Sequence, residues 1–297
     1  MIMEDKMLQG SYVALVTPFK NGGIDWNALE GLIQYHLDAG TNGILLLGTT
    51  AETAALAQDE KDTLLRFAMQ KIDGKVPVMI GTGTNNLSQT LANTQKAKDL
   101  EADYALIITP YYIKPTQNGM YEYFKQIADT VDIPIVIYNV PGRTGINIAA
   151  ETVVKLARDC KNIIGVKEAS GNVVQATKII RDAPAGFSLM CGEDALNLPL
   201  MAIGAKGCIS VTANVAPRLM SEHIASCLKG DFATAAKQHG HLALLNELMF
   251  IETNPIPAKE ALCLMGKIEA EFRSPICRLQ AHNLTLLSAG LKTYKLI

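Results

Sequence analysis

Eight times along this chain of 297 residues, a short run of apolar and often β-branched residues gives way to a stretch with helical periodicity. The runs fall at 12–19, 43–48, 76–81, 104–109, 133–139, 163–168, 187–191 and 207–212. Helical patterns fill the gaps, as at 26–38, 60–72, 87–100 and 121–131. The runs are nearly continuously hydrophobic, the pattern of strands buried on both faces. Parallel strands joined through helices take right-handed crossovers, and eight of them predict a closed (β/α)8 TIM barrel. An open doubly wound sheet is the competing topology. It calls for a Gly-rich phosphate turn after the first strand. Here Phe19 is followed by Lys-Asn-Gly-Gly-Ile-Asp, which reads as an ordinary turn into a helix.

After Ala213 the strand signal ends. The segments 216–229, 233–250, 256–265 and 278–287 read as helices broken by Gly, Pro and Asn. The first can complete the barrel and the others form a C-terminal helical appendage. The expected division is a catalytic barrel over 1–230 and a helical region over 231–297. Leu242, Leu244, Leu245, Leu248 and Met249 give that region a face apolar enough to pack on the barrel or on another subunit.

A composition of 48% hydrophobic and 19% charged residues suits one large core, and a net charge of −2 offers no basic surface for nucleic acid. The six cysteines, at 160, 191, 208, 227, 263 and 277, stand singly with no C-x-x-C pair. They are expected to be buried free thiols in a reducing compartment. The first residues, MIMEDKMLQGSYVALVTPF, do not form a secretory signal. No window approaches the ~20 uncharged apolar residues that would span a bilayer, so a soluble cytoplasmic protein with no membrane partner is expected.

Barrel active sites lie at the C-terminal ends of the strands, so the residues leaving each strand carry the chemistry. In the sixth run, alternation places Ile163, Gly165 and Lys167 on one face and Ile164, Val166 and Glu168 on the other. If the first set faces inward, Lys167 closes the top of an apolar barrel. An ammonium there is poorly solvated, so its pKa should fall and the free amine becomes a nucleophile. The other reading is a lysine that snorkels to solvent or pairs with Glu168. Tyr138 alternates with Val136 and Pro134, so it can also point inward and move protons beside an amine. It could equally be an aromatic cap on the core. Thr49 and Thr50 offer hydroxyls and turn amides suited to a small carboxylate. Arg143 could bind a carboxylate through two parallel hydrogen bonds, or be a solvated loop charge. Tyr111-Tyr112, between Thr-Pro and Lys-Pro, forms an exposed stiff loop that invites cover from a ligand or a subunit. The five histidines lack metal-ligand spacing and no serine sits in a Gly-x-Ser-x-Gly elbow, so neither metal nor serine hydrolysis is indicated.

Taken in order, Gly48-Thr49-Thr50-x-Glu52, Thr109-Pro110-Tyr111-Tyr112, Tyr138-Asn139-Val140-Pro141-x-Arg143-Thr144-Gly145 and Val166-Lys167-Glu168-Ala169 resemble the pyruvate-dependent class I aldolases. Ile209-Ser210-Val211-Thr212-Ala213-Asn214 and Asn254-Pro255-Ile256-Pro257-x-Lys259 extend the likeness over nearly the whole chain. Within that superfamily the chain resembles the dihydrodipicolinate synthase family. The resemblance implies condensation of pyruvate with L-aspartate 4-semialdehyde on the route to diaminopimelate and lysine, with no metal or other cofactor. It implies that Lys167 forms the imine, that Tyr138 moves protons, and that Thr49 links Tyr138 to Tyr112. Tyr112 would reach into a neighbouring subunit's site, which needs at least a dimer; the family is usually a homotetramer built as a dimer of dimers. Thr50 would hold the pyruvate carboxylate, the Ile209 backbone would line the pocket, and Arg143 would receive the semialdehyde's carboxylate. Arg143 also separates this family from the branch that cleaves sialic acid or keto-deoxy sugar acids, where a smaller or apolar residue is expected. The chain departs from the pattern in two respects. Ala51 stands where the family usually has Gly, which is tolerable only if φ is negative there. At the effector site of the lysine-inhibited members, Gln58, Lys61 and Gln89 stand where His or Glu is usual, while Asn85 and Tyr111 fit the pattern. Lys61 would repel a lysine effector and Gln89 lacks the charge to attract it, so feedback inhibition is expected to be weak or absent.

Overall fold

The computed structural model describes residues 7–297. Eight parallel strands close into a barrel: β1 (Gly10–Ala14), β2 (Gly43–Leu46), β3 (Val78–Gly81), β4 (Tyr104–Ile108), β5 (Ile135–Asn139), β6 (Ile163–Glu168), β7 (Ser188–Cys191) and β8 (Gly207–Ser210). Around the ring they run β1-β8-β7-β6-β5-β4-β3-β2. Each apolar run of the sequence overlaps one strand, and the first shows the largest displacement. The ladder of β1 ends early because the Val16 N–H is taken by the side-chain oxygen of Asn214 at 3.1 Å, and Pro18 has no N–H to donate. Phe19 instead pairs with Ile24 in a short antiparallel ribbon, Phe19–Lys20 with Gly23–Ile24.

The helices that follow are α1 (Trp26–Asp38), α2 (Gln58–Ile72), α3 (Leu87–Asp99), α4 (Gln117–Thr130), the single turn α5 (Pro141–Thr144), α6 (Ala150–Asp159), α7 (Val173–Asp182) and α8 (Asn197–Ala202). Four more close the chain: α9 (Pro217–Leu228), α10 (Phe232–Leu248), α11 (Ile256–Leu264) and α12 (Ala281–Thr293). None is long and apolar enough to cross a membrane.

Two compact units divide the chain, one formed by residues through Gly10 with Met79–Ile209, the other by Ser11–Val78 with Ser210–Ile297. In the first unit, β5 and β6 pair with Tyr138 opposite Lys167, and β6 and β7 pair with Lys167 opposite Met190. The helices are set by local chemistry. On α4, the Thr116 hydroxyl accepts from the Gly119 N–H at 3.2 Å and starts the helix. Met120, Tyr123, Phe124, Ile127 and Ala128 then form its buried face. Each large apolar side chain so buried contributes roughly 1.5–3 kcal/mol.

In the second unit, β1 and β2 pair with Tyr12 opposite Gly43. A Cβ at Gly43 would lie 2.1 Å from the Tyr12 ring, so only glycine fits. Here α10 packs against α9 and α12. Leu242, Leu245, Leu248 and Met249 are buried as expected. Leu244, named with that face, is 42% exposed. The last expected helix, 278–287, begins instead at Ala281. Arg278 stands outside it because its guanidinium donates to both oxygens of the buried Glu260 carboxylate at 2.9 Å each. The cysteines also need correction. All are free thiols, but Cys263 is only half-buried and Cys277 is exposed.

Candidate active site

Lys167 occupies the penultimate position of β6 and is only 5% exposed. Its ammonium nitrogen lies 4.4 Å from the centroid of the Tyr138 ring, which is itself 7% exposed. The two side chains therefore share a face, one of the arrangements that alternation allowed. The alternative partner, Glu168, points the other way. Its carboxylate accepts from Asn139 Nδ2 at 3.0 and 3.2 Å, from Gln175 Nε2 at 3.0 Å and from the Ser170 N–H at 2.7 Å. Four hydrogen bonds saturate that acid. Among the described residues, Lys167 is left without an ion pair.

Gly192, at the end of β7, is a site residue that the sequence reading missed. A Cβ there would lie 3.0 Å from both Cγ and Cε of Lys167 and 2.7 Å from the Ala169 Cβ. The lysine chain thus runs along bare backbone. Beyond it, burial first and then Asp194 raise the Glu193 carboxyl above its usual range, with Lys167 opposing. The only signal in the sequence was a glycine at a strand end, too common to single out.

Arg143 lies in the α5 turn and is exposed. Its N–H donates to Val140 O at 2.9 Å, and Gly145 ends the turn at φ 74. Tyr112 is 86% exposed and holds a left-handed backbone at φ 71, while Tyr111 is 37% exposed. The exposure of the pair is what the loop composition raised; the left-handed backbone at Tyr112 is a finding of the structure. Ile209, on β8, is 1% exposed.

In the other unit, Thr49–Ala51 form a tight 3-10 turn after β2. Its neighbours Leu47 and Glu52 take left-handed φ values of 52 and 54; Ala51 does not, so its methyl group is unstrained. The Ala51 carbonyl accepts from the Thr17 hydroxyl at 2.8 Å. Thr49 is half-buried and Thr50 is 2% exposed. A left-handed glutamate costs about 1–3 kcal/mol and persists only where its surroundings hold it. Glu52 is held on both oxygens. Oε1 lies 2.5 Å from Lys259 Nζ, with both side chains wholly buried, and Oε2 accepts from the Arg273 N–H at 3.1 Å. Lys259 Nζ also sits 4.2 Å over the Phe19 ring and 4.9 Å over Phe272. Burial draws its ammonium below the usual lysine value, with Glu52 opposing. Arg273 grips Glu60 through two hydrogen bonds of 2.5 Å, and that bonding lowers the Glu60 carboxyl. Asn254 Nδ2 donates to the Thr50 hydroxyl at 2.9 Å. In the sequence Asn254 and Lys259 stand out as motif members, with no partner indicated for either.

The effector-pattern residues are divided between the units. Asn85 Nδ2 donates to the Tyr111 carbonyl at 3.3 Å, and Asn85 and Gln89 line one open surface cavity of about 440 Å³ with Thr84 and Asn86. Gln89 donates to Asn93 at 2.8 Å. In the other unit, Gln58 donates to Asp62 at 2.8 Å, and burial lowers the Lys61 ammonium with Asp62 opposing.

Residues 7–294 match the Dihydrodipicolinate synthetase family. An Aquifex aeolicus (strain VF5) protein named 4-hydroxy-tetrahydrodipicolinate synthase is 46% identical over 290 residues, covering 98% of this chain and 99% of that one. The crystal structure of dihydrodipicolinate synthase from Aquifex aeolicus superposes with a TM-score of 0.95 at 45% identity, covering 97% of this chain and 98% of that one. The chloride-inhibited dihydrodipicolinate synthase from Acinetobacter baumannii, complexed with pyruvate, gives a TM-score of 0.95 at 41% identity, covering 97% of this chain and 99% of that one.

Proposed function

This chain belongs to the dihydrodipicolinate synthetase family, and we propose that it condenses pyruvate with L-aspartate 4-semialdehyde, the reaction of a 4-hydroxy-tetrahydrodipicolinate synthase. The observation that carries the reading is Lys167: a lysine 5% exposed at a strand end, without an ion pair among the described residues, against the ring of a tyrosine. Such an amine suits covalent capture of a ketone.

In the proposed reaction, Lys167 Nζ adds to C2 of pyruvate and water leaves, giving an iminium. Loss of a methyl proton pushes the C–H electron pair into the iminium and leaves an enamine. The enamine carbon attacks the semialdehyde's carbonyl carbon, and the new alkoxide takes a proton. The amino group of that substrate then attacks C2, the ring closes and Lys167 departs as an amine. Tyr138 moves the protons, with Thr49 and Tyr112 as further members of the relay. Thr50 holds the pyruvate carboxylate beside the Ile209 backbone, and Arg143 takes the carboxylate of the second substrate through paired hydrogen bonds.

The remaining readings rest on the same resemblance. The 86% exposure of Tyr112 supports its handover to a neighbouring subunit, and with it a homotetramer made as a dimer of dimers. The chain acts in the cytoplasm, with residues 1–230 as the catalytic barrel and 231–297 as its helical appendage. The test is a substrate comparison. Purified protein given pyruvate and L-aspartate 4-semialdehyde forms the cyclic product, while sialic acid and 2-keto-3-deoxygluconate are left uncleaved. Faster cleavage of either sugar acid would overturn the assignment.

A further inference from the structure

The Thr50 hydroxyl is 2% exposed and takes part in one hydrogen bond among the described residues, as acceptor from Asn254 Nδ2 at 2.9 Å. A hydroxyl has a single proton, and an amide NH₂ group cannot accept it. That proton therefore points away from Asn254. We infer that Asn254 is a positioning residue that fixes the polarity of the Thr50 hydroxyl, keeping it a donor aimed at a ligand carboxylate. The inference rests on the proposed role of Thr50 toward pyruvate. Asn254 lies just before α11, and the Thr50 turn is tied to that helix a second time through Glu52 and Lys259 at 2.5 Å. The same helix end thus fixes where the hydroxyl sits and which way it faces. A carboxylate in place of the amide would reverse the bond: it would accept the Thr50 proton, and the hydroxyl's lone pairs would then face the ligand's own negative charge.

Asn254→Asp makes that reversal with almost no change of shape. Steady-state kinetics should give a pyruvate KM raised on the order of 10- to 100-fold, as expected for one lost hydrogen bond to a charged group. The kcat at saturating pyruvate and the KM for the semialdehyde should change far less. Thr50→Val should raise the pyruvate KM similarly, and adding Asn254→Asp to Thr50→Val should do nothing more, since no hydroxyl is left to turn. A merely structural asparagine would lower kcat and act equally in both backgrounds. That result, or an unchanged pyruvate KM, overturns the inference while leaving the reaction assignment intact. If Asn254→Asp does not fold, Asn254→Ala frees the hydroxyl to rotate and should raise the KM several-fold; no rise overturns the inference. A wild-type protein that captures no pyruvate would remove the reaction assignment itself, and the inference with it.

Discussion

Replacing Lys259 by Met would leave the Glu52 carboxylate wholly buried with its main counter-charge gone. The two groups lie 2.5 Å apart at 0% exposure each, so solvent cannot screen or replace the lost partner. Breaking such a pair by removing one member costs about 3–5 kcal/mol, whereas exchanging both for uncharged groups is often near neutral. Glu52 keeps one hydrogen bond, from the Arg273 N–H, which places the single variant at the lower end, about 3 kcal/mol. Glu52→Gln strands the lysine over the Phe19 and Phe272 rings, which soften its isolation. The double variant should recover most of the loss, with a coupling of about 2–3 kcal/mol. Urea unfolding of the four proteins at one protein concentration measures this. Singles that each cost under about 1 kcal/mol, or losses that add in the double variant, would refute the claim that this pair holds the turn.

Gly192→Ala places a methyl group against the Lys167 chain and Ala169. It should slow imine formation by up to about 100-fold, the cost of a misplaced reacting group. Stopped-flow capture of pyruvate reads this directly, and a wild-type rate would contradict it. The Glu60 carboxyl is lowered by its bonding to Arg273, so the folded state favours the charged form. The stability this adds is present above the usual carboxylate range and is lost as pH falls through the lowered value. The melting temperature of Glu60→Gln should accordingly fall less steeply on acidification than that of the wild type; parallel curves would count against the pair. The cation at Lys61 and the neutral Gln89 predict activity nearly unchanged in millimolar L-lysine, and strong inhibition would contradict that.

The parts of this molecule that follow from short-range periodicity were legible in the sequence. Near-continuous apolar runs marked every barrel strand, and alternation allowed Lys167 and Tyr138 to share a face. Less legible were the features set by partners far away in the chain. The bond from Asn254 to Thr50 spans 204 residues and that from Lys259 to Glu52 spans 207, separations at which periodicity carries no information. The end of β1 was misjudged for the same reason: the residue that takes the Val16 N–H is Asn214. Cys277 failed differently. Hydrophobic character biases a residue towards the interior without deciding which side of a helix or loop faces it.

The central claim concerns covalent chemistry at a single nitrogen, and borohydride reduction in the presence of pyruvate, followed by peptide mapping, tests it most directly. The account predicts a stable pyruvate-derived adduct on the peptide containing Lys167 and none in Lys167→Ala. An unmodified protein, or an adduct on any other lysine, would contradict it.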